Sequence, residues 1–300
     1  MDKPRPCGCK GCRTCLICEK EFGITNKTLN INRDKNSYIY CPDCNLAWSG
    51  WDVNRDQIHP NHTGTSLSYP GVYIQRNFLT VKEEEYLIHN IDSVQWDLSQ
   101  SGRRKQNYGP KCNFKKKKLQ IGNFQGFPKF SQFVQERFQQ VPILKDFHTI
   151  EQCSLEYDLN RGASIDPHID DCWIWGERIV TVNILGDSVL TMTYNKKLLK
   201  YNLDCVLQYS KVLTSDGEMN TSNKPYILEQ DLETNWSVRI PMPKRSLLVL
   251  YGSARYDWEH QVLREDITER RVCLAYREFT PPYLVNNEGK AVLERACNFF

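Results

Sequence analysis

The second half of this chain is built of strands. From His148 onward, segments of strand length with apolar or alternating character recur at 150–157, 178–185, 188–194, 237–242, 247–251 and 272–279. The run 247–251 is apolar at every position and 272–279 nearly so, which marks strands buried on both faces. Helical signals come earlier. Thr80-Val-Lys-Glu83 is a capping box that predicts a helix over 81–91, with Val81, Tyr86 and Leu87 on its core face. Pro128 opens a second helix, along which Phe130, Phe133, Val134 and Phe138 form a packing stripe. Early helices followed by late strands predict a mainly β core with flanking helices, and a double-stranded β-helix, or jelly roll, fits that order. The hydrophobic content of 40%, with seven tryptophans, is enough for one sizeable core and a small Cys-rich N-terminal segment.

Chemistry gathers at the strand ends. His168 and Asp170 are two apart, so in a strand they face the same way, and His260 follows 92 residues later, just past an apolar strand. Two imidazoles and one carboxylate on one face of an octahedron leave three positions open. That suits non-haem Fe(II), which must take a chelating co-substrate and dioxygen together. Arg271 and Arg277 are an even number of residues apart on one buried strand, so both point to one side. Buried arginines call for an anionic partner. Their backbones stand roughly 20 Å apart at strand rise, so only their long side chains could bring both to one small dicarboxylate. Trp173 and Trp175 lie just beyond the His-x-Asp pair on alternate positions. They could wall a substrate or be ordinary core aromatics. Asp171 has the wrong parity for a ligand and could instead support one or touch substrate.

These residues resemble the AlkB family of Fe(II)/2-oxoglutarate dioxygenases, and within it the fourth-homologue subgroup. The resemblance runs from about Pro70 to Phe279. It rests on Ser101-Gly-Arg-Arg-Lys-Gln-Asn-Tyr108, Gly162-Ala-Ser-Ile-Asp-Pro-His168-Ile-Asp170, Arg255-Tyr-Asp-Trp-Glu-His260 and the Arg271 to Arg277 spacing. It implies a jelly-roll fold, iron on His168, Asp170 and His260, and 2-oxoglutarate on Arg271, Arg277 and Tyr157. Leu155, Cys273 and Ala275 stand where the family pattern has polar residues. The implied reaction is oxidative N-demethylation with dioxygen as oxidant, leaving succinate and a hemiaminal that releases formaldehyde.

The N-terminal segment, 1–56, differs in composition. Five of the thirteen cysteines, Cys7, Cys9, Cys12, Cys15 and Cys18, crowd together, and Cys41 and Cys44 follow. Cys15-x2-Cys18 and Cys41-x2-Cys44, 22 residues apart, read as a four-thiolate zinc site. Cys7, Cys9 and Cys12 compete for the same role, and His59 with His62 could replace a cysteine. The surplus could also hold a second ion or stay as free thiols. A polar linker, 57–69, leads into the dioxygenase domain, 70–300, which a polar excursion interrupts at about 195–235. The chain start has no apolar signal-peptide run, and no stretch approaches membrane-spanning length. The expectation is a soluble protein of cytoplasm and nucleus, with reduced thiols.

The net charge of +3 conceals an asymmetry, because 98–135 holds nine Lys or Arg residues and no acid. Arg103, Arg104, Lys105, Lys111 and the run Lys115 to Lys118, with Tyr108 and Phe114 between them, form a patch that could face nucleic acid. A solvated hairpin, or a seat for an acidic protein surface, would look the same. Arg103, Arg104 and Tyr108 are candidate substrate contacts. Three functions compete: a demethylase of methyl-lysine in protein, with actin implied by the resemblance; a demethylase of N6-methyladenine or another methylated base in DNA or RNA; and a zinc-containing interaction protein with an idle oxygenase fold.

Overall fold

The computed structural model describes residues 5–11, 13–24, 36–54, 58–195, 200–228 and 236–300; Cys12 and parts of the polar excursion lie outside them. Two seven-stranded sheets form the core. From edge to edge, the first holds Ile165–His168, Trp258–Val262, Ser188–Tyr194, Ser237–Met242, Ser37–Cys41, Leu46–Ser49 and Ser66–Ser68. The second holds Val72–Gln75, Ser246–Leu250, Trp175–Leu185, Arg271–Phe279, Glu151–Tyr157, Arg104–Tyr108 and Asp97–Leu98. From Ile165 on, the chain crosses between the sheets at every step except from Ser188–Tyr194 to its neighbour Ser237–Met242, which is the winding of a jelly roll.

Side-chain alternation explains why the second sheet reads as apolar throughout. In Arg271–Phe279, Cys273 packs between the sheets, whereas Val272, Leu274 and Tyr276 pack outward against helices. Leu248 and Leu250 face in, and Leu247 and Val249 face out, in the neighbouring Ser246–Leu250. The outer layer is the helix Val81–Ser93, with Leu87 and Ile91 buried, and Gln132–Phe138, with Val134 and Phe138 buried. Thr80 Oγ1 accepts from Glu83 N at 3.3 Å and Glu83 Oε2 accepts from Thr80 N at 2.8 Å, closing the capping box. Such a cap contributes about 1 kcal/mol. Of the expected core face Leu87 is buried, but Val81 is 56% and Tyr86 50% exposed, because the stripe that meets the sheet continues from Leu87 to Ile91, one turn on.

The end of the expected 57–69 linker, Ser66–Ser68, is a strand of the first sheet. Ser37–Cys41 pairs in parallel with Ser237–Met242, and Ser66–Ser68 pairs with Leu46–Ser49. The polar excursion is likewise ordered where described. Leu203, Val206, Tyr226 and Leu228 bury against Ile169, Cys172 and Tyr256, directly behind the His168-x-Asp170 loop. Among the described residues no helix is long and apolar enough to cross a membrane.

Candidate active site

His168 closes the strand Ile165–His168 and stands directly opposite His260 in the antiparallel register with Trp258–Val262. Cross-strand partners lie close enough for their side chains to meet, and the two imidazole centroids are 4.2 Å apart. Asp170 lies two residues past the end of that strand. Ile169 between them is anchored in the satellite cluster behind, so His168 and Asp170 turn to the same side. His168 Nε2 lies 3.8 Å from Asp170 Oδ1, and the ligand atoms of His168, Asp170 and His260 all fall within 4.8 Å of one another. His168 Nδ1 donates to the Asp166 carbonyl at 2.9 Å, which leaves Nε2 as the lone-pair nitrogen facing the group. Burial pushes both imidazoles below the usual histidine value, His260 well below, so each is neutral and ready to donate to a metal. Burial alone would raise the Asp170 carboxyl. The Arg277 guanidinium, by its charge and its hydrogen bonds, outweighs it and holds that carboxyl well below the usual range.

The two arginines occupy different places relative to the triad. Arg277 Nε and Nη2 donate to Asp170 at 3.0 and 3.1 Å, and Nη1 pairs with Glu151. All three of its nitrogens are committed to carboxylates. Arg271, opposite Tyr157 on the next strand, stacks 4.7 Å from the centre of that ring. Its Nε donates to Asn183 Oδ1 at 2.8 Å and Nη2 touches Met242 Sδ at 3.7 Å, while Nη1 is buried with no hydrogen-bond partner. A buried guanidinium with an unsatisfied N–H is costly unless an anion meets it. Six residues of strand therefore separate a carboxylate-holding arginine from one that still has a donor to give. Asn183 escaped the sequence reading. Its signal was a single amide in the otherwise apolar run Ile179-Val-Thr-Val-Asn183-Ile-Leu, beside the apolar Leu155 and Cys273 positions.

On the substrate side, Trp173 lies in a turn and Trp175 begins a strand. Both are buried, and Phe114, 49% exposed, presents itself edge-on or tilted to them at 6.3 and 6.4 Å. Tyr283 closes on Trp173 from the other side at 5.7 Å. Asp171 accepts from Asn202 Nδ2 at 2.7 Å, and burial raises its carboxyl. Phe114 sits in a small hairpin, Lys111–Asn113 with Lys118–Gln120, whose turn exposes Lys115, Lys116 and Lys117. The hairpin borders a cavity of about 630 Å³ whose lining includes Lys105, Tyr108, Cys112, Phe114, Glu151 and the terminal Phe300. Tyr108 thus keeps its place as a candidate contact. Arg104 is held by an ion pair: Nε and Nη2 bond the buried Glu156 carboxylate at 2.5 and 2.7 Å, which Arg161 and Arg270 also join. Arg103 lies 5.8 Å above the Tyr157 ring, at the Arg271 end of the site.

The four-thiolate set is also corrected. Cys15 and Cys18 converge with Cys7 and Cys9, whereas Cys41 and Cys44 converge with His59 and His62. Spacing cannot reveal this division, because the x2 pairs are equivalent in sequence and are parted only when Ser37–Cys41 joins the sheet.

No family model matches the chain. The mouse protein named alpha-ketoglutarate-dependent dioxygenase alkB homolog 4 is 38% identical over 297 residues, covering 98% of this chain and 94% of its own. The human protein of that name is 41% identical over 301 residues, with the same coverage. This chain belongs to the AlkB family. Within AlkB it falls in the fourth-homologue subgroup, which makes it an Fe(II)/2-oxoglutarate-dependent dioxygenase and demethylase. A Caenorhabditis elegans protein named DNA N6-methyl adenine demethylase is 31% identical over 300 residues, covering 94% of this chain and 89% of its own. The geometry suits the AlkB cofactors: two neutral imidazoles and an ionised carboxylate converge, and the unsatisfied Arg271 Nη1 awaits an anion in the same inter-sheet space.

Proposed function

We propose that this AlkB dioxygenase removes N-methyl groups from lysine in a protein substrate, actin being the one that its subgroup resemblance implies. One observation carries the reading: Phe114, Trp173, Trp175 and Tyr283 form an aromatic corner beside the carboxylate of Asp171, two residues from Trp173. A methylammonium is drawn to aromatic faces and to a nearby carboxylate, with cation–π contacts contributing about 0.5–2 kcal/mol each. In this reading His168, Asp170 and His260 hold iron, and Arg271 with Tyr157 receives the distal carboxylate of 2-oxoglutarate. Arg277 positions Asp170. Bound iron, 2-oxoglutarate and dioxygen supply the oxidation of the methyl C–H bond, which no amino-acid side chain can perform. The chain's own work is orientation: Asp166 fixes the His168 tautomer, Arg277 fixes the Asp170 carboxylate, and the aromatic corner holds the methyl group towards the iron ligands.

A second reading rests on Lys115 to Lys117, exposed beside Phe114, and on the worm relative's name. Cations flanking an exposed aromatic side chain also suit a nucleic acid backbone with an unstacked base. Matched trimethyl-, dimethyl- and monomethyl-lysine peptides and N6-methyladenine oligonucleotides, each incubated with protein, iron and 2-oxoglutarate, separate the two. Formaldehyde and succinate formed in equal amounts with peptide supports methyl-lysine. Coupled turnover confined to oligonucleotide overturns it.

A further inference from the structure

The first 68 residues contain two groups of converging soft ligands that the oxygenase reaction does not use. In the first, Cys7 Sγ and Cys15 Sγ lie 3.2 and 3.8 Å from Cys18 Sγ, and Cys9 completes the set. In the second, Cys41 Sγ is 3.8 Å from His59 Nδ1, Cys44 Sγ is 3.7 Å from His62 Nε2, and the two ring nitrogens are 3.3 Å apart. A tetrahedral zinc ion, about 2.3 Å from sulfur and about 2.0 Å from nitrogen, sets its ligand atoms about 3.3 to 3.8 Å apart. Both groups approach that spacing. The sulfurs are not bonded to one another, since a disulfide would bring them to about 2.05 Å.

The surroundings point the same way. Among described residues 5–24 the only buried ones are Cys7, Cys9, Thr14, Cys15 and Cys18, with Ile17 and Ile24 packed half-buried against the four thiols, so cysteine makes up most of the interior of this piece. Four small weakly polar groups bury too little apolar surface to order so many residues, whereas a tetrathiolate ion does so directly. Arg5 Nη1 donates to Cys18 Sγ at 3.4 Å, and Trp48 Nε1 donates to Cys44 Sγ at 3.4 Å. Donors aimed at sulfur are what a thiolate ligand requires. Trp48 also stacks on the His62 ring at 4.7 Å, fixing its plane.

We propose that the segment holds two zinc ions, one on Cys7, Cys9, Cys15 and Cys18 and one on Cys41, Cys44, His59 and His62, and that the first fastens the rim of the active site. The piece it organises reaches that rim in several places. Arg13 pairs with Gln100 at 2.6 Å and with Asp166 at 3.3 Å, and Glu19 pairs with Arg264 at 2.7 and 2.9 Å. Gly8 packs so closely on Leu98 and Ser99 that a Cβ there would stand 3.1 Å from each. Asp166 is the residue whose carbonyl orients His168, and the loop after Leu98 leads to Arg103. The second ion instead ties the 58–62 loop to the turn that ends Ser37–Cys41, far from those contacts in the sheet.

The test uses the full chain in a His168→Ala background, so that zinc in the iron site is not counted. Elemental analysis should give two zinc ions per chain. Zinc-edge X-ray absorption should give an average shell of three sulfurs and one nitrogen, as one all-sulfur and one mixed site require. Cys7→Ser with Cys9→Ser, and separately His59→Ala with His62→Ala, should each remove one ion. The first pair should raise amide exchange in 98–103 and 162–168, and the second should raise it in 46–49 instead. One ion per chain, an all-sulfur average shell, both pairs removing the same ion, or disulfides in place of metal would each overturn the proposal. The absorption and stoichiometry of the His168→Ala chain decide it even if the paired variants do not fold.

Discussion

Replacing Arg271 and Arg277 in turn by glutamine separates the two ends of the site. Arg271 keeps an unsatisfied Nη1, and a charge-assisted hydrogen bond from a buried guanidinium contributes about 1.5–3 kcal/mol. Arg271→Gln should therefore raise the 2-oxoglutarate concentration needed for half-maximal turnover roughly 10- to 150-fold, with iron binding nearly unchanged. Arg277→Gln removes both Asp170 contacts and the Glu151 pair together. Breaking a buried pair costs about 3–5 kcal/mol. That loss should fall on iron affinity and on thermal stability, with a smaller change in the 2-oxoglutarate requirement at saturating iron. Formaldehyde release against 2-oxoglutarate at several iron concentrations, together with anaerobic iron titration, measures both quantities. If Arg271→Gln left the 2-oxoglutarate requirement unchanged, or if Arg277→Gln altered only that requirement and not iron, the division of labour read from their hydrogen bonds would be wrong.

Alanine at His168, Asp170 or His260 should abolish coupled turnover, seen as loss of both formaldehyde and succinate, because two remaining ligands cannot hold ferrous iron productively. Burial would raise the Glu156 carboxyl, but Arg104, Arg161 and Arg270 outweigh it and lower it from 4.5 to about 2. The stability this supplies is present above the unfolded value and is lost as pH falls towards about 2. Glu156→Gln should then cost about 3 kcal/mol in urea unfolding at pH 7, and the gap to wild type should shrink as the pH falls below about 4. An equal gap at pH 7 and pH 3 would reject it. Lys115 to Lys118 changed to glutamine should weaken oligonucleotide binding and flatten its salt dependence, while turnover of a short methyl-lysine peptide survives. Loss of peptide turnover in that variant would count against the protein substrate.

The strands and the iron triad were legible because both depend on local rules: period-two burial, and polar groups at the ends of apolar runs. Arg271 and Arg277 were visible as buried charges, but their separate roles were not. Those roles depend on Asn183, Tyr157 and Glu151, which come from other strands and meet the arginines only through sheet register. Arg104 looked like part of a free basic surface because its partner, Glu156, is 52 residues away. The excursion after Tyr194 read as loop, since its few apolar residues have no period. They bury individually against Ile169, Cys172 and Tyr256. The cysteine pairs were identifiable as candidate metal ligands, yet nothing in their spacing says which group each pair joins.

The parallel pairing of Ser37–Cys41 with Ser237–Met242 joins two strands that are far apart in sequence. A chain emerging from the ribosome exposes the first of these strands long before its partner exists. During that interval, both clusters of sulfur and nitrogen donors are already complete, because each is confined to a short stretch of sequence. Metal capture can therefore precede sheet closure, and a metallated N-terminal piece would arrive pre-shaped to cover Ser237–Met242. Without that cover, the strand would be a bare edge in the middle of a catalytic domain, open to pairing with a second unfinished copy.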